Sequence, residues 1–220
     1  MIRDEHLPTE VVPGDGVFEE IVRIAARDDT LNVLEIGCSD GQGSTFAVMK
    51  GFDLRRREAP KAHLYAIDLS PLRSAACRER YKKRDDITVL CGMSCSPADV
   101  AGEDEIRAFK GIYPASLLLQ WRAGLFEYVS ERDPKQHMIL SAKLLARQDF
   151  DLAIIDGCEF SARAELDRVY GSRWIVLDDT QVFKNASNYA RLLKDPLYTL
   201  VSCDPGRRNG WAVFGRKGQI

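Results

Sequence analysis

The stretch Val33-Leu34-Glu35-Ile36-Gly37-Cys38-Ser39-Asp40-Gly41-Gln42-Gly43-Ser44-Thr45 is the key to the architecture. Its first half belongs to a short apolar run, Leu31 to Gly37, rich in β-formers, which reads as a buried strand. The run ends in a turn holding Gly37, Gly41 and Gly43, and a helix follows. Glycines in such a turn let the backbone approach a ligand closely. The helix N-terminus offers free N–H groups to an acceptor atom. In an open α/β sheet, ligands sit at the carboxyl ends of the strands. The turn is therefore expected to touch a cofactor; the competing reading is a glycine-rich turn with a structural role only.

On either side of this stretch, four more runs read as strands: His63 to Leu69, Ile87 to Gly92, Phe150 to Gly157 and Arg173 to Asp179. Upstream, GVFEEIVRIAAR spaces Val17, Phe18, Ile21, Val22, Ile24 and Ala25 as one face of an amphipathic helix, and the chain before Pro13-Gly14 reads as a loose arm. Ser70-Pro71 is a helix start, with Ser70 as N-cap and Pro71 in the first helical position. Strands alternating with helices imply a mainly parallel sheet with right-handed crossovers. The tail differs: YTLVSC and WAVFGR flank the turn signal DPGRRNG and read as an antiparallel hairpin, which brings the sheet to seven strands. The connection from Leu90 to Phe150 far exceeds the roughly ten to twelve residues of a minimal crossover. It contains SLLLQWRAGLFEYVS, with Leu118, Trp121, Leu125 and Val129 on one face, and then QHMILSAKLLAR. Residues 93–149 are thus expected to form a helical cap inserted in a single domain spanning 1–220.

Composition narrows the classes. The chain has 220 residues, 45% hydrophobic and 29% charged, which excludes a collagenous or wholly disordered chain. Its 31 Lys+Arg and 33 Asp+Glu give a formal net charge of -2, so no nucleic-acid partner held by bulk charge is expected. The opening MIRDEHLPTE lacks the apolar core of a secretory signal, and no apolar run approaches the ~20 residues of a membrane span. The 6 cysteines (Cys38, Cys77, Cys91, Cys95, Cys158 and Cys203) are scattered, as expected of reduced thiols in a cytoplasmic protein. Cys91 and Cys95 lie close together, but no Cys or His cluster completes a zinc set.

A dinucleotide fingerprint starting at Gly37 would need glycine where Ser39 and Gln42 stand. The pattern Glu35-x-Gly37-x-x-x-Gly41-x-Gly43-Ser44 instead resembles the first motif of class I S-adenosylmethionine-dependent methyltransferases, especially the small-molecule O-methyltransferase branch. The runs IDGCEF, VYGSRWIVLDDT, VFKNASNYARLLKDP and RRNGWAVF resemble those of an uncharacterised bacterial group in that superfamily. The resemblance implies a Rossmann-like α/β fold whose glycine turn faces the methionine part of the cofactor while Glu35 helps hold its amino group. Asp68, near the end of the second strand, is placed to accept both ribose hydroxyls, a role that an acid also plays in NAD enzymes; the other reading is a polar strand end beside a helix cap. The expected cofactor contacts are Glu35, Gly37, Cys38, Ser39, Gly41, Ser44, Asp68, Leu69, Gly92 and Asp156.

Asp156, Asp178 and Asp179 end the fourth and fifth strands and point at the same crevice. Three carboxylates at adjacent strand ends suit a hard divalent cation such as Mg²⁺. Catechol-type O-methyltransferases use matching acids in this way, although they usually carry Asp-Asn where this chain has Asp178-Asp179. The other reading, left open, has Asp156 positioning cofactor or substrate and one of the pair capping a helix. Asp156 and Asp179 are the candidate catalytic residues. An oxygen nucleophile must lose a proton, either through a metal or to a general base. No histidine stands out as that base. His63 starts its strand at the wrong end, His6 lies in the arm, and His137 reads as a solvated cap residue. In the cap, Tyr113, Trp121, Phe126 and Tyr128 are candidate substrate contacts or simple packing residues, and Arg207 and Arg208 of the hairpin turn are candidates to meet an anionic substrate.

The expected function is S-adenosylmethionine-dependent methyl transfer to a small-molecule acceptor at oxygen, in one version assisted by Mg²⁺. The alternatives are an NAD-dependent oxidoreductase on a similar sheet and a non-catalytic S-adenosylmethionine-binding protein. The first helix or the cap offers a face for a homodimer.

Overall fold

The computed structural model describes residues 11–220; His6 and most of the predicted arm lie outside the described residues. Seven strands form one sheet: β1 Asn32–Ile36, β2 His63–Asp68, β3 Ile87–Cys91, β4 Leu152–Ile155, β5 Trp174–Asp178, β6 Tyr198–Asp204 and β7 Trp211–Arg216. Their order is β3-β2-β1-β4-β5-β7-β6. The first five are parallel neighbours, and β7 runs antiparallel between β5 and β6. All five central segments and the hairpin read from the sequence are therefore present.

Side-chain alternation builds a core on each face. Val33 joins α1 (Gly16–Ala25) and α2 (Ser44–Asp53) through Phe18, Ile21, Ala47 and Val48. The next residue, Leu34, faces the opposite layer with Ile139, Leu166 and Leu192 of α6 (Met138–Ala146), α7 (Ala162–Val169) and α8 (Phe183–Lys194). Between β2 and β3, α3 (Pro71–Arg80) begins as its sequence predicts: the Ser70 hydroxyl accepts from the Arg73 N–H at 3.3 Å, with Pro71 next in the chain.

Chain order reverses between β1 and β4, so a crevice opens beyond their carboxyl ends. The region 93–149 serves two purposes. The helix α6 packs on the sheet with Tyr65, Ile67 and Phe150. Ahead of it, α4 (Glu103–Ala108) and α5 (Ala115–Arg132) form a small separate core in which Ile106, Leu118 and Leu125 meet Met93, Phe160 and Phe183. That core roofs the crevice. Among the described residues, no helix is long and apolar enough to cross a membrane.

Candidate active site

A cavity of about 440 Å³ lies where the strand order reverses, walled by the ends of β1, β2 and β4 and by α5. Gly37 turns the chain at its base with φ +94°, and a Cβ there would run into the backbone carbonyl oxygen of Asp156. The end of β1 thus packs directly on the end of β4, which only a glycine permits. Ser39 follows in the left-handed region at φ 49°.

That conformation aims the Ser39 N–H at Asp68. One Asp68 oxygen accepts from Ser39 N at 2.9 Å and the other from Ser70 N at 2.8 Å. Each carboxylate oxygen keeps a lone pair. Burial raises the Asp68 pKa, while these two N–H groups favour the charged form. The result is a pre-oriented acid on the cavity wall, beside Leu69 and Gly92.

Two of the expected cofactor contacts are placed differently. Glu35 is 0% exposed and is not on the cavity wall. Its oxygens accept from the hydroxyls of Ser44 and, at 2.6 Å, Thr45, so it braces the glycine turn from behind. Gly41 is likewise off the wall; it lies against the Tyr81 ring and Cys77, and its carbonyl accepts from the Tyr81 hydroxyl at 2.6 Å. Cys38, Ser39, Ser44 and Asp156 do line the cavity, and contact with the Cys77 thiol together with burial pushes the Cys38 thiol up.

At the far end, Asp156, Asp178 and Asp179 come together, with one oxygen of each within 4.8 Å of the others. Two cations that no sequence motif pairs with these acids, Lys184 and Arg208, sit among them. Lys184, in the first turn of α8 and 8% exposed, places Nζ 2.8 Å from Asp156 Oδ1 and 2.5 Å from Asp179 Oδ2. Arg208 places Nη2 2.5 Å from Asp178 Oδ1 and Nη1 2.9 Å from Asp15 Oδ2. Asp178 is off the cavity wall; Asp156, Asp179 and Lys184 are on it. Burial penalises every charge here. Against that penalty, Lys184, the Asn209 amide and Arg208 hold Asp179 below the usual carboxylate range. Burial outweighs Lys184 at Asp156, whose pKa is raised. The ammonium itself is held well above its ordinary value, because the three carboxylates outweigh its desolvation.

The helix that carries Lys184 is tied to both strand ends. Asn185 Nδ2 donates to Ile155 O at 3.0 Å and to Asp178 O at 2.6 Å, and Asn188 Nδ2 donates to Ala162 O at 2.8 Å. Glu165 is a further site residue that the sequence does not single out. It is fully buried in α7 and lines the cavity; one oxygen accepts from Ser94 and Ser161, each at 2.6 Å, and Oε2 has no partner among the described residues.

The remaining expectations sort by position. Trp121 and Tyr128 line the cavity. Tyr113 packs edge-on against Trp121 at 5.2 Å, and Phe126 lies under the Arg122 guanidinium at 4.5 Å; neither is on the wall. His63 bonds Thr88 at 2.8 Å at the opposite end of the sheet, and His137 is exposed at the start of α6. Arg208 is absorbed in its two carboxylates rather than facing the cavity.

No family model matches this chain, and no curated protein matches it. Solved structures do. An O-methyltransferase from Bacillus cereus in complex with SAH superposes with a TM-score of 0.58 at 15% identity, covering 96% of this chain and 84% of that one. Cofactor-bound Rv0187 from MTB gives 0.56 at 16% identity over 96% and 84%. A putative caffeoyl-CoA O-methyltransferase from Staphylococcus aureus gives 0.55 at 12% identity over 91% and 82%. The chain therefore shares the Rossmann-like fold of these proteins, with its mainly parallel seven-stranded sheet and C-terminal antiparallel hairpin.

Proposed function

We propose that this protein is a methyltransferase that moves the methyl group of S-adenosylmethionine to an oxygen of a small-molecule acceptor. One observation carries the reading. Asp68, held by two backbone N–H groups, and Gly37, packed on Asp156, face the same cavity at the point where strand order reverses. An acid so placed accepts from a ribose diol, and the turn beside it takes the chain of a sulfonium amino acid. The fold shared with methyltransferases supports the same reading. Trp121, Leu125 and Tyr128 give the cavity an apolar and aromatic roof suited to a small-molecule acceptor.

S-adenosylmethionine supplies an activated methyl group, so the protein's work is to position and desolvate. The acceptor oxygen forms a bond to the methyl carbon as the carbon–sulfur bond breaks, leaving a neutral thioether. The proton lost by the acceptor passes to Asp156, the cavity-wall carboxylate whose pKa burial raises, while Asp179 beside it stays charged.

The donor set does not suit a resident Mg²⁺. The two carboxylates that face the cavity share an ammonium, and the third is committed to a guanidinium. Lys184 Nζ already lies at hydrogen-bond distance from an oxygen of each cavity-facing carboxylate, so a Mg²⁺ bridging them would have to displace the ammonium.

Calorimetric titration with S-adenosylhomocysteine and, separately, NAD tests the cofactor. Micromolar binding of the first alone is expected. Asp68→Ala should weaken it about 10- to 100-fold, the loss of charge-assisted bonds worth ~1.5–3 kcal/mol. Binding of NAD alone, or an unchanged affinity in Asp68→Ala, would refute the assignment.

A further inference from the structure

The lysine between the strand-end acids is costly to place. It is buried, and it stands in the first turn of α8, where the helix dipole disfavours a cation. A side chain needed only for packing would be apolar here. What holds Lys184 as an ammonium is the carboxylate pair Asp156 and Asp179, and it lies on the cavity wall with them. Its position is also fixed through the main chain: Lys184 N–H donates to Glu159 Oε1 at 3.2 Å, and the Asn185 amide ties the same helical turn to the ends of β4 and β5. An ammonium has three protons. Among the described residues two are taken, by Asp156 Oδ1 and Asp179 Oδ2.

We propose that Lys184 is the built-in cation of the acceptor site, occupying the place between Asp156 and Asp179 that a divalent ion would need and giving its third N–H to the acceptor's oxygen. The acceptor class follows. It is a phenol, enol or carboxylic acid, whose oxygen is anionic or becomes so as its proton leaves for a neighbouring carboxylate. An ammonium stabilises that charge, and the site requires no metal. The inference rests on the methyl-transfer reading for what happens next, but its cation and anion binding are measured without the cofactor.

The test uses the full-length chain and two probes. In Mn²⁺ titration followed by electron paramagnetic resonance, the wild type should leave the free-ion signal intact into the millimolar range. Lys184→Met, which empties the position of charge, should gain Mn²⁺ affinity at least about tenfold. In the second titration, 4-nitrophenol is added at a pH below its own pKa. The wild type should take it up as the phenolate, seen as growth of the visible band, and Lys184→Met should lose that uptake. Lys184→Arg keeps a cation, so it should exclude Mn²⁺ as the wild type does; Lys184→Gln, uncharged but polar, should behave as Lys184→Met and serves if the methionine variant does not fold. Wild-type protein that binds Mn²⁺ as tightly as Lys184→Met would overturn the proposal, as would phenolate uptake that survives loss of the charge. Failure of the wild type to bind S-adenosylhomocysteine would remove the methyl-transfer reading alone, because neither probe depends on it.

Discussion

Glu35→Gln should make this protein more stable above neutral pH, and the gain can be worked from the structure. Glu35 is fully buried, and its partners are the Ser44 and Thr45 hydroxyls rather than a cation. Burial therefore dominates and lifts its pKa from 4.5 to about 7. An acid with a raised folded pKa keeps its proton in the native state while the unfolded state has lost it. Its stability contribution is fully present below pH 4.5 and is lost as pH rises through about 7. The rise from 4.5 to about 7 corresponds to roughly 3 kcal/mol, at ~1.36 kcal/mol for each tenfold change in acidity. Glutamine is uncharged at every pH, and the two hydroxyls can still serve its amide. Urea unfolding of both proteins from pH 4.5 to pH 8.5 isolates the effect, because the other buried acids titrate alike in each. Near the acid end the two should agree within about 1 kcal/mol. Near pH 8 the variant should be ahead by about 3 kcal/mol. A difference that does not change with pH would show that Glu35 ionises freely in the folded protein.

Other substitutions probe the remaining supports. Gly37→Ala places a methyl group against the Asp156 carbonyl at positive φ, so it should cost at least about 2 kcal/mol and weaken S-adenosylhomocysteine binding, measured by urea melts and calorimetry. Arg208→Met removes the guanidinium shared by Asp15 and Asp178, both buried. Burial already lifts Asp178 to about 8, so at pH 7 the loss falls mainly on Asp15, which among the described residues keeps only Arg207 at 3.9 Å. The variant should be destabilised by about 2 kcal/mol, whereas a loss under about 1 kcal/mol would mean that Asp15 relaxes into solvent. Trp121→Ala removes part of the cavity roof, so S-adenosylhomocysteine affinity should fall about tenfold (~1.4 kcal/mol); an unchanged affinity would place Trp121 outside the cofactor's reach.

Much of this molecule is legible from local pattern. Apolar runs rich in β-formers place β1, β2, β4 and β5 because a strand buried on both faces needs no polar alternation, and the half-buried edge strand β3 shows the same run. Gly37 marks the turn at the end of β1 because the chain there adopts positive φ and touches another strand end. The acids Asp68, Asp156 and Asp179 are readable because a charge at the end of a buried strand has few places to go but the crevice. Local pattern is silent about which side chains meet across it. Lys184 and Glu165 look in the sequence like ordinary solvated positions on polar helices, since charged residues at helical spacing usually face water. Glu35 reads as a cofactor contact, and in the fold it lies behind the glycine turn and off the cavity wall, where two hydroxyls from the next helix hold it. Element order, the sheet and the location of the crevice are thus written into the chain locally, since all three follow from short-range hydrophobic period and turn chemistry. The place of Lys184 and Arg208 among the acids is not. That pairing joins β4, β5, α8 and the hairpin turn, and charges distant in the chain are matched only when the folded sheet has brought them together.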